Sequence, residues 1–166
     1  MQILTKLLNL RRFSGANVYT RWGRTSCPSD GTDTVYTGVI GGGHYTHSGS
    51  ASHYLCLSND PEWDENEITA DSAGYIYGTE YETNSSLSCK HLQNKEAPCT
   101  VCKADPRTVI LIPARTTCYR GWKMKYAGYV MVEYYSHSGN KDVLMLHQRS
   151  FLAAVMGMKM EHCCTL

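Results

Sequence analysis

The sequence predicts an all-β or β-rich fold, a disulfide-stabilised sandwich or irregular barrel with long loops. Three observations carry that expectation. Tyrosine dominates the aromatic residues, 12 against 3 Trp and 2 Phe, and its ring packs on half-buried strands while its hydroxyl finds a polar partner. Short alternating or continuous apolar stretches recur between clusters of turn residues. Eight cysteines in 166 residues fit an oxidising compartment, where disulfides support a limited core.

Along the chain, "VYTRWGRT" alternates, with Val18, Thr20 and Trp22 on one side. "CPSDGTD" supplies Pro, Asp and Gly for a turn. "TVYTGVI" reads as a second strand leading into Gly41–Gly43, and "SHYLCLS" follows with Tyr54 and Cys56 on one face. "GYIYGTEYE" alternates again. "RTVILIPA" is a continuous apolar run of the kind found in strands covered on both faces, and "GYVMVEYYS" is the last clear strand. "DPEWDENEITADSAG" and "NSSLSCKHLQNKEAPC" have no helical rhythm and read as loops. The result is one β-rich module over 18–141, an unassigned segment 1–17 and a tail 142–166 of different character.

Several chemistries are excluded or disfavoured. A formal net charge of +1 builds no field for nucleic acid. No apolar run approaches the roughly 20 residues of a membrane span. "GGGHYTHSGSASHYLC" (Gly41–Cys56) lacks the helix and the lysine that a phosphate loop requires, so its glycines mark a bulge or a close backbone approach. His44, His47 and His53, with Cys56, offer metal-ligating types, but His44 and His47 have opposite parity on an extended strand. No metal or other cofactor is expected. "PCTVC" has the C-x-x-C spacing of Cys99 and Cys102 without the helix that lowers a redox thiol's pKa, so a structural role, each sulfur bridging elsewhere, is expected over a thiol oxidoreductase. The acidic run around Trp63, with Asp60 and Glu62, lacks calcium-loop spacing. No nucleophile–base spacing emerges, and the chain is expected not to be an enzyme. "NSS" at Asn84 is a candidate glycosylation acceptor.

"YTRWGRTSCP", "GGGHYTHSGSASHYLCLSNDPEW", "GYIYGTEYE", "PCTVC" and "VILIPARTTCYRGWKMKYAGYVMVE" occur in that order. Together they resemble the C-terminal non-collagenous domain of invertebrate short-chain (spongin-type) collagens and related secreted proteins. The resemblance covers roughly 18–138 and implies an extracellular, disulfide-bonded, non-catalytic module of matrix or cell adhesion. Cys27, Cys56, Cys99, Cys102 and Cys118 are the disulfide candidates. Cys89 stands where the resemblance implies no cysteine, and the chain has no Gly-X-Y tract. Extracellular matrix chains or surface glycans are the partners implied, and homo-oligomers are left open. A secreted lectin is the alternative, with Tyr45, Trp63, Asp60 and Glu62 as ligand-binding candidates.

Both ends depart from that picture. "MQILTKLLNLRRFSG" does not have the layout of a secretory signal, and a missing true start is the expectation. The tail "VLMLHQRSFLAAVMGMKMEHCCTL" carries four of the seven methionines and no tyrosine. Back-translated with permitted codons and shifted by one base from the last base of Asp142, it can be read as CVDAASEVLPGSGDGDENGALLYT, which has almost every feature of the continuation that the resemblance implies. A frameshift after about Lys141 is therefore expected, with 143–166 forming a non-native helix and a sheet edge left exposed to association; the alternative is a genuine C-terminal helix over "RSFLAAVMGMKM" that packs on the sheet.

Overall fold

The computed structural model describes residues 15–49, 53–62, 74–83, 90–104, 108–112, 115, 117–138, 142–147 and 160–165. Trp63, Asn84 and Cys89 lie outside them. The described strands are β1 (Asn17–Trp22), β2 (Thr32–Gly42), β3 (Leu55–Ser58), β4 (Tyr77–Gly78), β5 (Pro98–Ala104), β6 (Val109–Ile112), β7 (Lys123–Met131), β8 (Leu144–His147) and β9 (Met160–Thr165). They form one open sheet in the order β3-β2-β5-β1-β8-β7-β9-β6, with β4 beside β2. Among the described residues the only helical element is a 3-10 turn at Lys90–Leu92.

β5 organises the first half. Its sequence, PCTVCKA, combines β-branched residues with two cysteines, and it lies between β1 and β2, antiparallel to both. Proline stands at its first position, where a strand tolerates the missing donor. Residues three apart on a strand point to opposite faces. Cys99 therefore bonds Cys56 on one side, while Cys102 bonds Cys27 on the other, with Cα–Cα separations of 5.7 and 5.8 Å. Cys118 is disulfide-bonded as well. The Cys99 face joins Ile40, Tyr81, Ala97 and Leu144 in the main core, against which Trp22, Tyr54 and Met131 pack.

The second half runs β8-β7-β9-β6, antiparallel throughout. A single parallel pair, Trp22 with Leu146, joins the two halves. The sheet also curls: Tyr126 of β7 stacks on Tyr19 of β1 at 6.3 Å and donates its hydroxyl to the Thr20 carbonyl at 3.3 Å. A groove of about 350 Å³ lies between β1 and β6, lined in part by Val18, Tyr19, Val109 and Leu111. The β-rich, disulfide-stabilised class expected from the sequence is the class adopted, and its architecture is one curled open sheet.

Three local expectations are corrected. β2 does not stop before the glycines but continues through Gly42. A Cβ on Gly38 would strike the Leu57 carbonyl, and one on Gly41 or Gly42 would meet Ile76 at 2.8 Å or the Tyr54 ring at 2.9 Å. The glycines thus let β3, β4 and Tyr54 lie directly on the strand. "VILI" is not covered on both faces: β6 is the last strand of the sheet, and Leu111 is 52% exposed. On β1, Tyr19 and Arg21 face Tyr126, Trp22 on the other face packs against the main core, and Val18 is exposed. Finally, the tail's described parts are strands rather than helix. β8 pairs with β7, and β9 is inserted between β7 and β6. Most of "RSFLAAVMGMKM" falls outside the described residues.

Candidate functional site

Where β2 ends, the chain turns sharply, and the His47 amide donates to the His44 carbonyl at 3.1 Å. This turn removes the parity that an extended strand would impose, and the His44 and His47 rings come to 4.5 Å, centroid to centroid. The Thr46 amide donates to His44 Nδ1 at 3.3 Å. Tyr77, on β4 opposite Gly42, sets its ring edge-on to His44 at 4.8 Å. Tyr75 extends the group, 6.4 Å from Tyr77.

A second loop, following β7, completes the surface. The His137 amide donates to the Tyr134 carbonyl, and the Ser138 amide donates to the Tyr45 carbonyl, each at 3.0 Å. The latter bond ties the two loops together. Tyr45 consequently sits between His44 at 4.7 Å and His137 at 5.1 Å. Tyr134 follows His137 at 5.7 Å, and Tyr135 follows Tyr134 at 4.4 Å. The outcome is an unbroken succession of tyrosine and histidine rings drawn from three separate stretches of sequence. Most are open to solvent, with Tyr75 67% and Tyr135 82% exposed.

Glu133 lies beside one of these rings, and Asp142 beside His53. The Tyr54 hydroxyl donates to Glu133 Oε1 at 3.2 Å, and Glu133 Oε2 lies 3.7 Å from His137 Nδ1. Burial, reinforced by the Glu133 charge, pushes the Tyr54 hydroxyl's pKa well up, so it stays a donor across the physiological range. His53 Nδ1 is 3.0 Å from Asp142 Oδ2. The hydrogen bond with His53 holds the Asp142 carboxyl below its ordinary pKa, outweighing the opposing effect of burial.

Of the ligand-binding candidates from the sequence, the structure places Tyr45 at the centre of this surface. Asp60 and Glu62 are exposed beyond β3 and make no contact with Tyr45 among the described residues. Glu133, which sequence reasoning passed over, is the carboxylate next to Tyr45's neighbour His137. The signal was present in "HYTH", "GYIYG" and "EYYSH", each a Tyr/His pair or triplet beside a strand end. Among the described residues no group of three or more His, Cys, Asp or Glu is placed to hold a metal ion, and no helix is long and apolar enough to cross a membrane. No known protein-family model matches the chain.

Proposed function

We propose that this chain is a non-catalytic extracellular module of matrix or cell-adhesion type, as its resemblance to the terminal domains of short-chain collagens implies. The observation that supports this reading best is the succession of exposed tyrosine and histidine rings. A soluble protein rarely leaves so many contiguous rings in water unless they meet a partner, and tyrosine supplies rigid contact area with a polar tip. The disulfides of β5 suit an oxidising compartment. Extracellular matrix chains are the partners of this reading.

The oxidised protein, labelled and applied to decellularised tissue matrix, is expected to be retained. Tyr45→Ala is expected to reduce retention about tenfold, the loss of one central aromatic contact. Retention unchanged by Tyr45→Ala, or no retention of a folded protein, would overturn the proposal. A secreted carbohydrate-binding protein is the second reading. It is favoured by the polar tips of the rings and by the Glu133 carboxylate beside His137.

A further inference from the structure

We infer that the groove between β1 and β6 is the seat of the chain's own N-terminal segment, residues 3–10, which runs antiparallel to β1 as an added strand. The groove lies apart from the ring surface, so this goes beyond the matrix reading and stands or falls separately from it.

The backbone of β1 supplies the first argument. β1 is antiparallel to β5 along its whole length, and the Gly23 amide, one residue past its end, still donates to the Pro98 carbonyl. In an antiparallel pair the backbone groups of alternate residues point to the partner, and those between point away. Tyr19 and Arg21 therefore turn their groups to β5, while Val18, Thr20 and Trp22 turn theirs to the other side. Two contacts agree with this alternation. The Thr20 carbonyl accepts the Tyr126 hydroxyl proton at 3.3 Å, and Trp22 pairs with Leu146 of β8. β8 meets that edge at Trp22 alone. Among the described residues no strand pairs with Val18 or Thr20 on the outer edge. The open part of the edge is thus the N-terminal part, where the chain enters β1.

The groove itself supplies the second. Its other wall is β6, the last strand of the sheet, whose outer edge has no paired strand among the described residues either. The lining is mainly apolar, and Val18 and Val143 are 61% and 52% exposed. An extended apolar segment fits such a place, because it meets open backbone groups with its own and covers the aliphatic side chains with alternate residues.

The third argument selects the segment. Residues 1–14 lie outside the described residues, and they join β1 through Gly15 and Ala16. Five of the eight residues in 3–10 are Ile or Leu. A hairpin connection takes about 2–5 residues, which 11–16 contain, with Ser14 and Gly15 of turn-forming type. Residues 7–10 then suffice to pass 17–20. A segment tethered at the mouth of the groove is present at an effective concentration on the order of millimolar. No separate peptide or second copy matches that at ordinary protein concentrations.

The test compares residue-resolved amide hydrogen exchange in the oxidised full chain and in a chain shortened by residues 1–12. In the full chain the Val18 and Thr20 amides are expected to be protected. In the shortened chain they are expected to exchange about tenfold faster or more, while the Tyr19 and Arg21 amides, turned to β5, keep their protection. General loosening of β1 does not produce loss at alternate residues. A synthetic peptide of residues 2–12, supplied at millimolar concentration, is expected to restore the protection. Far-UV circular dichroism reports whether the shortened chain keeps its sheet; if it does not, Leu8→Asp with Leu10→Asp in the full chain makes the same comparison. Equal exchange of Val18 with and without the segment overturns the inference, as does a loss spread evenly over 17–21. Protection that appears only as the full chain dimerises also overturns it, because the strand then comes from a second copy.

Discussion

The Lys125 side chain is 3% exposed and gives its ammonium protons to the Asp30 carboxylate at 3.0 Å, the Asp30 carbonyl at 3.1 Å and the Thr32 hydroxyl at 3.1 Å. Lys123 reaches the same carboxylate at 3.1 Å. Asp30 belongs to the turn before β2, and both lysines belong to β7, so one carboxylate links the two halves of the sheet. Burial alone would raise the Asp30 pKa, but the hydrogen bonds from Lys125 and Lys123 prevail and hold it below the ordinary value. A carboxyl whose folded pKa is depressed contributes stability above its unfolded pKa, and that contribution is lost as pH falls through the folded value. The pH window is therefore below the ordinary Asp pKa of 3.8. Asp30→Ala strands a buried ammonium and is expected to cost about 3–5 kcal/mol at neutral pH, read as a lower denaturation midpoint with an unchanged m-value. Below pH 3.8 the variant and the parent are expected to converge. A constant gap between them across the acid range would mean that the carboxylate charge is not what matters. Nothing in the sequence around Asp30 separates it from any other turn aspartate, because its role depends on a lysine 95 positions away.

At the scale of elements, β2 is where glycine chemistry decides the fold. Gly38, Gly41 and Gly42 let β3, β4 and the Tyr54 ring approach closer than a side chain would allow. Gly38→Ala places a methyl group against the Leu57 carbonyl, a backbone atom that yields only if β3 moves. It is expected to destabilise the protein by about 1–3 kcal/mol, with the loss seen as a lower thermal midpoint; an unchanged midpoint would show that β3 shifts freely. The close-approach meaning of these glycines was legible in the sequence, since strand-rich surroundings and the missing helix left few other uses for them. Cysteine-bearing β3 and the core face of Tyr54 and Cys56 were legible for the same reason: period-two patterning survives wherever one face is buried. The edge position of β6 was not legible, because a continuous apolar run looks the same at the centre and at the edge of a sheet. Arg21 was hidden by a related ambiguity. Alternation was visible on β1, but it did not show that both faces pack, Arg21 beside the Tyr126 ring at 5.8 Å and Trp22 against the main core. The ring surface was half legible. Tyr45 could be singled out, whereas its junction with His137 depends on one backbone hydrogen bond between loops 93 residues apart, Ser138 to Tyr45.

Across the whole molecule, the two halves of the sheet are held by different means. β1, β2, β3 and β5 share both assigned disulfides, since Cys27–Cys102 closes 75 residues and Cys56–Cys99 closes 43. Loop closure alone gives each bridge several kcal/mol against the unfolded chain, with the longer loop ahead by only about 0.5 kcal/mol. Replacing either pair with alanine is therefore expected to lower stability by a similar amount, about 2–5 kcal/mol. The double replacement is expected to leave little folded protein. β6, β7, β8 and β9 are joined to that block in the sheet by the single Trp22–Leu146 pair, and outside it by Leu144 and Met131 in the main core, by Tyr126 on Tyr19, by Lys125 on Asp30, by Tyr54 on Glu133 and by the Ser138–Tyr45 backbone bond. Such a junction divides a sheet into units that open separately. Amide exchange is expected to be slowest in β5, which has a partner on each side and disulfides leaving both faces. It is expected to be faster as a group in β7 and β8. Removal of the Cys27–Cys102 and Cys56–Cys99 bridges by substitution reverses the order of sensitivity: protection in β5 collapses, while the β7–β8 pairing loses proportionately less. Trp22→Ala removes the large side chain at the junction and is expected to widen the difference between the two groups in the oxidised protein. Uniform exchange across all strands, before and after that substitution, would mean that the curled sheet unfolds as one cooperative body and that the contacts through Tyr126 and Asp30 outweigh the narrow backbone bridge.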